Sequence, residues 1–234
     1  MTEHTSKQYD QDLEAIRTRT LQMGGLVESQ IRAAVEGYLH GDIATIENVI
    51  ANDAKVNELE LAIDDDLRHV IVRRQPAATD LRLIMAVSKT VTDLERIGDE
   101  AAKIARMAKE IHTAPAKMAR PRLATMSHVS EISCGMLRKA LDAFARLDAA
   151  AAARAIAEDA AIDTEFRAIL RQLVTFMMED PRTISTSLHI VWVAKAFERI
   201  GDHAKNIAEQ VIYIVKGRDV RHTPLEEVER EAAR

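Results

Sequence analysis

The pentapeptide Glu95-Arg96-Ile97-Gly98-Asp99 recurs letter for letter as Glu198-Arg199-Ile200-Gly201-Asp202. Residues four apart on a helix share a face, so each copy sets two carboxylates side by side. Like charges at that spacing repel by roughly 0.3 kcal/mol. Arg96 with Asp99, or Arg199 with Asp202, would pass as an ordinary ion pair in a single copy. Two identical copies favour a different compensating charge, a bound metal cation. At helical spacing Glu95 falls beside Ile84, Val91, Gly98 and Ala102, and Glu198 beside Val191, Ala194 and Gly201. The carboxylates therefore border the packing stripe, where they need partners or must protonate. The glycine three residues after each Glu lowers helix propensity by roughly 1 kcal/mol relative to Ala. It also removes bulk where a neighbouring helix can approach.

Two carboxylates rarely complete a coordination shell, so a second helix should supply more. Asp53 with Asn57, and Asp159 with Asp163, have the same four-residue spacing at equivalent places in the two halves. Asp53 is flanked by Ile46, Val49 and Val56, and Asp159 by Ala152, Ala155 and Ile162, again at the edge of an apolar stripe. Asn57 is a weaker ligand than a carboxylate, so the first site is expected to bind differently. Oxygen donors suit hard cations such as magnesium, manganese, calcium or iron. The histidines do not join: His203 and His189 point away from the carboxylate face, and His40, His69, His112 and His128 share no spacing.

Long helices must carry these residues. Apolar positions recur at three- and four-residue steps through Leu13, Ile16, Met23, Val27 and Ile31, then Ile46 to Ile71, then Leu81 to Ile111. Asp42 is a good N-cap, Pro76 stops the second helix and Asp80 opens the third. Pro115 and Pro121 mark a linker. The scheme then repeats through Leu123–Phe144, a fifth helix capped by Asp148 and running to Leu173, and a sixth opened by Asp180 and Pro181 and ended by Gly217. The prediction is an all-α chain of two tandem, pseudo-symmetric three-helix bundles, over 8–112 and 121–217. A disordered start precedes them and a polar tail over 218–234 follows, with a short helix near 224–232. Glu28 maps to Glu131 and Glu95 to Glu198 at one offset, Asp42 to Asp148 and Asp53 to Asp159 at an offset three residues longer, a drift that loops absorb.

A formal charge of −5 argues against a general nucleic-acid binder. The single cysteine, Cys134, rules out an internal disulfide framework and fits a reducing cytosol. No apolar run approaches the length of a membrane span. No phosphate-cradling glycine loop and no nucleophile–base arrangement is present.

The whole chain from about residue 8 to 222 resembles the PhoU family of phosphate-specific transport system accessory proteins. The resemblance rests on the duplicated acidic-Arg-Ile-Gly-Asp motif. It also rests on Met23-Gly24-Gly25-Leu26-Val27-Glu28, Arg74-Gln75-Pro76 with Asp80-Leu81-Arg82, and Tyr213-Ile214-Val215-Lys216-Gly217 with Val220-Arg221-His222. It implies a cytoplasmic regulator that represses the phosphate-starvation response when phosphate is plentiful. Such proteins link the phosphate ABC transporter, through its ATPase subunit, to a sensor histidine kinase, and are commonly homodimers. Some members hold iron or zinc clusters on paired acidic motifs. Here those motifs fall on Glu95 and Asp99, and on Glu198 and Asp202, with Asp53, Asn57, Asp159 and Asp163 as accessory ligands.

A ferritin-like di-metal carboxylate enzyme is the catalytic alternative. It would need Glu-x-x-His, and glycine stands three residues after both Glu95 and Glu198. A purely structural bundle leaves the acids at the stripe's edge unexplained. The reading is a non-enzyme adaptor; Arg73, Arg74 and Arg82, near one helix junction, are candidates for its docking face, a solvated turn being the simpler reading of any one of them.

Overall fold

The computed structural model describes residues 7–76, 78–114 and 125–233. Among them every regular element is helical, with no strand. The first repeat is α1 (Lys7–His40), α2 (Ile43–Arg74) and α3 (Ala78–Thr113). The second is α4 (Thr125–Arg146), α5 (Ala149–Ile156), α6 (Asp159–Glu179) and α7 (Ile184–Lys216), and α8 (Leu225–Ala233) follows. The polar start up to residue 6 and most of the proline-bearing linker, residues 115–124, lie outside the described residues.

The helices stop and start where capping chemistry dictates. Asp42 accepts from the backbone N–H groups of Ala44 and Thr45, and Asp148 from that of Ala151. Asp180 accepts from Arg182 N–H to start a 3₁₀ turn at Pro181–Thr183 that leads into α7. Gly217 ends α7 in the left-handed region (φ 73°), its N–H bonded to the Tyr213 carbonyl. A Cβ there would also run into the guanidinium of Arg82.

The expected fifth helix is two. Its run ends at Ile156 and restarts at Asp159, although neither glycine nor proline stands between. Local propensity does not break it. α5 packs against α4, α7 and α8 and α6 against α4 and α7, and Ala157 and Glu158 between them keep right-handed helical backbone angles, so the interruption is a local irregularity and no sharp turn. Asp159 consequently sits at a helix N-terminus, where the helix dipole favours a carboxylate.

The core lies along α3 and α7, the two most extensively buried helices. They run antiparallel: Lys89 lies over the Tyr213 ring, Asp93 meets His203, Glu100 meets Arg199 and Lys103 lies over Trp192. α1 packs on α2 and α3, and α4 on α7, so the repeats share one continuous apolar interior. The motif glycines permit close approach within each repeat. A Cβ on Gly98 would come within 3.2 Å of Val56 on α2, and one on Gly201 within 2.6 Å of Ile162 on α6. Gly201→Val should therefore cost about 1–3 kcal/mol by overpacking. Gly25→Ala on α1, where the added methyl meets nothing within 4 Å, should instead stabilise by up to about 1 kcal/mol. Chemical denaturation of both variants checks the contrast.

Candidate functional site

α2 and α3 bring four carboxylates of the first repeat into electrostatic contact. Burial first, then the charge of Asp99, raises the pKa of Asp53. Burial, Asp64 and Asp99 raise Glu60. Burial, Asp99, Glu60 and Asp53 raise Glu95. Among the described residues none of Asp53, Glu60, Glu95 and Asp99 accepts a side-chain hydrogen bond or forms an ion pair, and Asp53 Oδ1 is buried with no partner. Arg96 and Arg106 soften the field without touching the acids.

Glu60 was not singled out in the sequence. It stands seven residues after Asp53, two helical turns on, and so shares its face. That spacing was the available signal. Asn57 is exposed and makes no side-chain bond among the described residues. Glu60 thus supplies the charge that Asn57 lacks, giving the first repeat four carboxylates, as in the second.

The second repeat gathers Asp159 and Asp163 from α6 with Glu198 and Asp202 from α7. Burial, Glu198 and Asp159 raise the pKa of Asp202. This set carries its own cations. Lys195 donates to Glu198 at 2.6 Å, Lys205 donates to Asp159 at 2.7 Å, and Arg167 pairs with Asp163 at 3.6 Å. The first repeat has Thr92 and Ala102 where the second has Lys195 and Lys205, and Glu60 where the second has Phe166. One repeat neutralises its acids internally; the other does not.

Among the described residues no three histidine, cysteine or acidic side chains stand close enough together to hold an ion without rearrangement. The donor chemistry of the first repeat nevertheless fits a hard cation: oxygen donors only, mutually repelling, one of them orphaned. His203 is buried and hydrogen-bonded to Asp93, outside the carboxylate sets. Cys134 lies partly buried against the core, its thiol pushed up to about 11 by burial.

The arginines expected at a docking face are partly committed elsewhere. Arg74 pairs with Asp12 at 3.1 Å, and Arg82 donates to Thr79 Oγ1 beside Gly217. Arg73 is exposed. Apolar side chains are exposed nearby, among them Val72, Leu81 and Met85, and at equivalent places of the second repeat Met178, Ile184 and Leu188.

The sequence profile of the PhoU domain matches residues 20–108 and 126–211. A phosphate-specific transport system accessory protein PhoU homolog of Pseudomonas putida is 47% identical over 96% of this chain and 87% of its own length. Its counterpart in Escherichia coli K12 is 42% identical over 98% of this chain and 94% of its own. The crystal structure of PhoU from Pseudomonas aeruginosa, 45% identical, superimposes with a TM-score of 0.85 over 90% of this chain and 100% of that one. PhoU from Streptococcus pneumoniae, 24% identical, shares the fold with a TM-score of 0.84 over 91% of this chain and 99% of its own. A twice-matched domain profile and near full-length identity on a common fold lead to one conclusion: the chain belongs to the PhoU family.

Proposed function

We propose that this protein regulates phosphate transport as a non-catalytic adaptor. It docks on the phosphate ABC transporter through the ATPase subunit, contacts a sensor histidine kinase, and represses the phosphate-starvation response when phosphate is plentiful. The observation that carries the reading is near full-length similarity to proteins named as accessories of the phosphate-specific transport system. Among the described residues no helix is long and apolar enough to cross a membrane, which suits a protein that reaches the transporter by docking. A cytoplasmic homodimer is the form in which we expect it to act.

Within this role the first-repeat acids Asp53, Glu60, Glu95 and Asp99 hold a cation such as iron, manganese, magnesium or zinc. It supplies the positive charge that the protein does not place there. Glu198, Asp202, Asp159 and Asp163 bind more weakly, because a cation must displace Lys195 and Lys205. Elemental analysis of protein purified without chelator tests this. Glu95→Ala/Asp99→Ala should lose most of the metal, and Glu198→Ala/Asp202→Ala little of it. Equal losses would remove the distinction, and metal-free wild type would remove the cation. The regulatory role is tested by deleting the gene and following a phosphate-starvation reporter in high phosphate. Derepression restored by the wild-type chain is expected, and an unchanged reporter would overturn the role.

A further inference from the structure

A second polar site lies beside the acidic cradle, about a quarter-turn around α3 and toward α7. A cavity of about 440 Å³ opens between α3, α7 and the turn that follows Val220. Its cationic wall is Lys89, Arg96 and Arg221, with the His222 imidazole beside them. Among the described residues neither Arg96 nor Lys89 forms an ion pair; the Lys89 ammonium rests 6.0 Å from the Tyr213 ring centroid. Arg221 is held by Asp219, Nε to both carboxylate oxygens at 3.0 Å and Nη2 to Oδ2 at 2.6 Å. After that pair and the Asp93 carboxylate are subtracted, the wall keeps one surplus Lys or Arg charge, with His222 besides.

Three neutral or acidic groups make it more than a basic patch. Gln210 lines the cavity and is only 4% exposed; its orphaned Oε1 is a buried acceptor turned away from any anion, so the group it offers the cavity is the Nε2 donor. Its amide makes no side-chain hydrogen bond among the described residues, and a buried amide left that way is costly. The Ser88 hydroxyl likewise has no protein partner there, although Thr92 is committed to the Ser88 carbonyl at 3.2 Å. Asp93 takes its two bonds on one oxygen: His203 Nδ1 at 2.9 Å and Asn206 Nδ2 at 3.1 Å both meet Oδ1. Its Oδ2 is left as an acceptor at the cavity wall.

A carboxylate acceptor among cations and N–H and O–H donors selects on protonation. A fully deprotonated tetrahedral anion is repelled by Asp93, whereas one carrying an O–H can donate to it. We propose that this cavity binds inorganic monohydrogen phosphate, which keeps one O–H at neutral pH, and discriminates against sulfate, which has none. Lys89 and Arg96 supply charge, the Ser88 hydroxyl and Gln210 Nε2 donate hydrogen bonds, and Asp93 Oδ2 accepts the hydrogen bond from the ligand's O–H. The volume leaves room for part of the anion's water shell. The site stands on its own geometry and does not depend on cation binding in the acidic cradle.

Isothermal titration of the full chain with sodium phosphate and sodium sulfate at matched ionic strength and neutral pH tests it. Phosphate should bind and sulfate should not. Lys89→Met/Arg96→Gln should weaken binding by about tenfold or more, given two charge-assisted contacts. Asp93→Asn, which keeps an oxygen for His203, should admit sulfate to within a few-fold of phosphate. Thermal melts confirm that both variants fold. The proposal is overturned if sulfate binds the wild type as well as phosphate does. It also fails if phosphate does not bind, or if phosphate binding survives Lys89→Met/Arg96→Gln in folded protein.

Discussion

Glu95→Gln/Asp99→Asn should stabilise the metal-free protein while abolishing its stabilisation by divalent cations. The four first-repeat acids are drawn together with no ion pair among them, and Asp53, Glu60 and Glu95 all have raised pKa values. Removing two charges relieves that repulsion; after solvent screening the gain at neutral pH is of order 1 kcal/mol. Cation linkage acts the other way. A ligand present at a hundred times its Kd adds about 2.7 kcal/mol to the state that binds it, and the double variant should gain almost none of this. The pH dependence has a fixed sign. In metal-free protein the folded state holds protons more tightly than the unfolded chain. Its advantage is complete below the ordinary carboxylate range and is lost as pH rises through the raised folded values. The variant should show a flatter profile. Thermal melts with chelator and with added manganese, from acid to neutral pH, read all three effects. A variant stabilised by manganese as strongly as wild type would place the cation elsewhere.

Glu209→Gln should stabilise the protein at pH 8 and change little at pH 5. Glu209 is buried on α7, and its pKa is pushed up to about 7. Burial is the main cause. Asp219 and Asp93 raise it further, against the opposing pull of Lys205 and Arg221. Between the ordinary value of 4.5 and about 7 the folded protein keeps this proton and the unfolded chain does not. Stability attributable to Glu209 is therefore present below the lower value and lost as pH rises through the upper one. A shift of that size corresponds to about 3 kcal/mol, most of which the neutral amide should recover at pH 8. Urea denaturation of both proteins at the two pH values checks it. A stability difference that does not grow between pH 5 and pH 8 would mean that Glu209 is charged throughout.

Much of the architecture was legible because it rests on periodicity and punctuation. The three- and four-residue steps of α1 hold through Gly24 and Gly25, where the helix runs unbroken. Asp42, Asp148, Asp180 and Gly217 cap or end helices as their chemistry requires. The edge position of the motif acids also follows from the helical wheel, since Ile84, Val91, Gly98 and Ala102 beside Glu95 are all buried. Glu60 was within reach of the same argument but required looking two turns along α2 rather than one.

By itself the sequence determined the helices, their twofold repetition, the family and the doubling of the acidic motif, because these depend on local spacing and on comparison along one chain. It also held the Lys195 and Lys205 substitutions that separate the two acidic sets. That Lys195 neutralises Glu198 three residues on follows from local spacing, whereas the pairing of Lys205 was decided by tertiary structure. Lys195 reaches along its own helix, but Lys205 meets Asp159 only because α6 lies against α7. The irregularity between α5 and α6 likewise answers to no glycine or proline at the break. The cavity holding Asp93, Gln210 and Arg221 exists because α3 and α7 cross antiparallel and bring together residues more than a hundred positions apart. Helical periodicity is blind to such meetings: it reports which face a residue occupies, and only packing decides what that face meets.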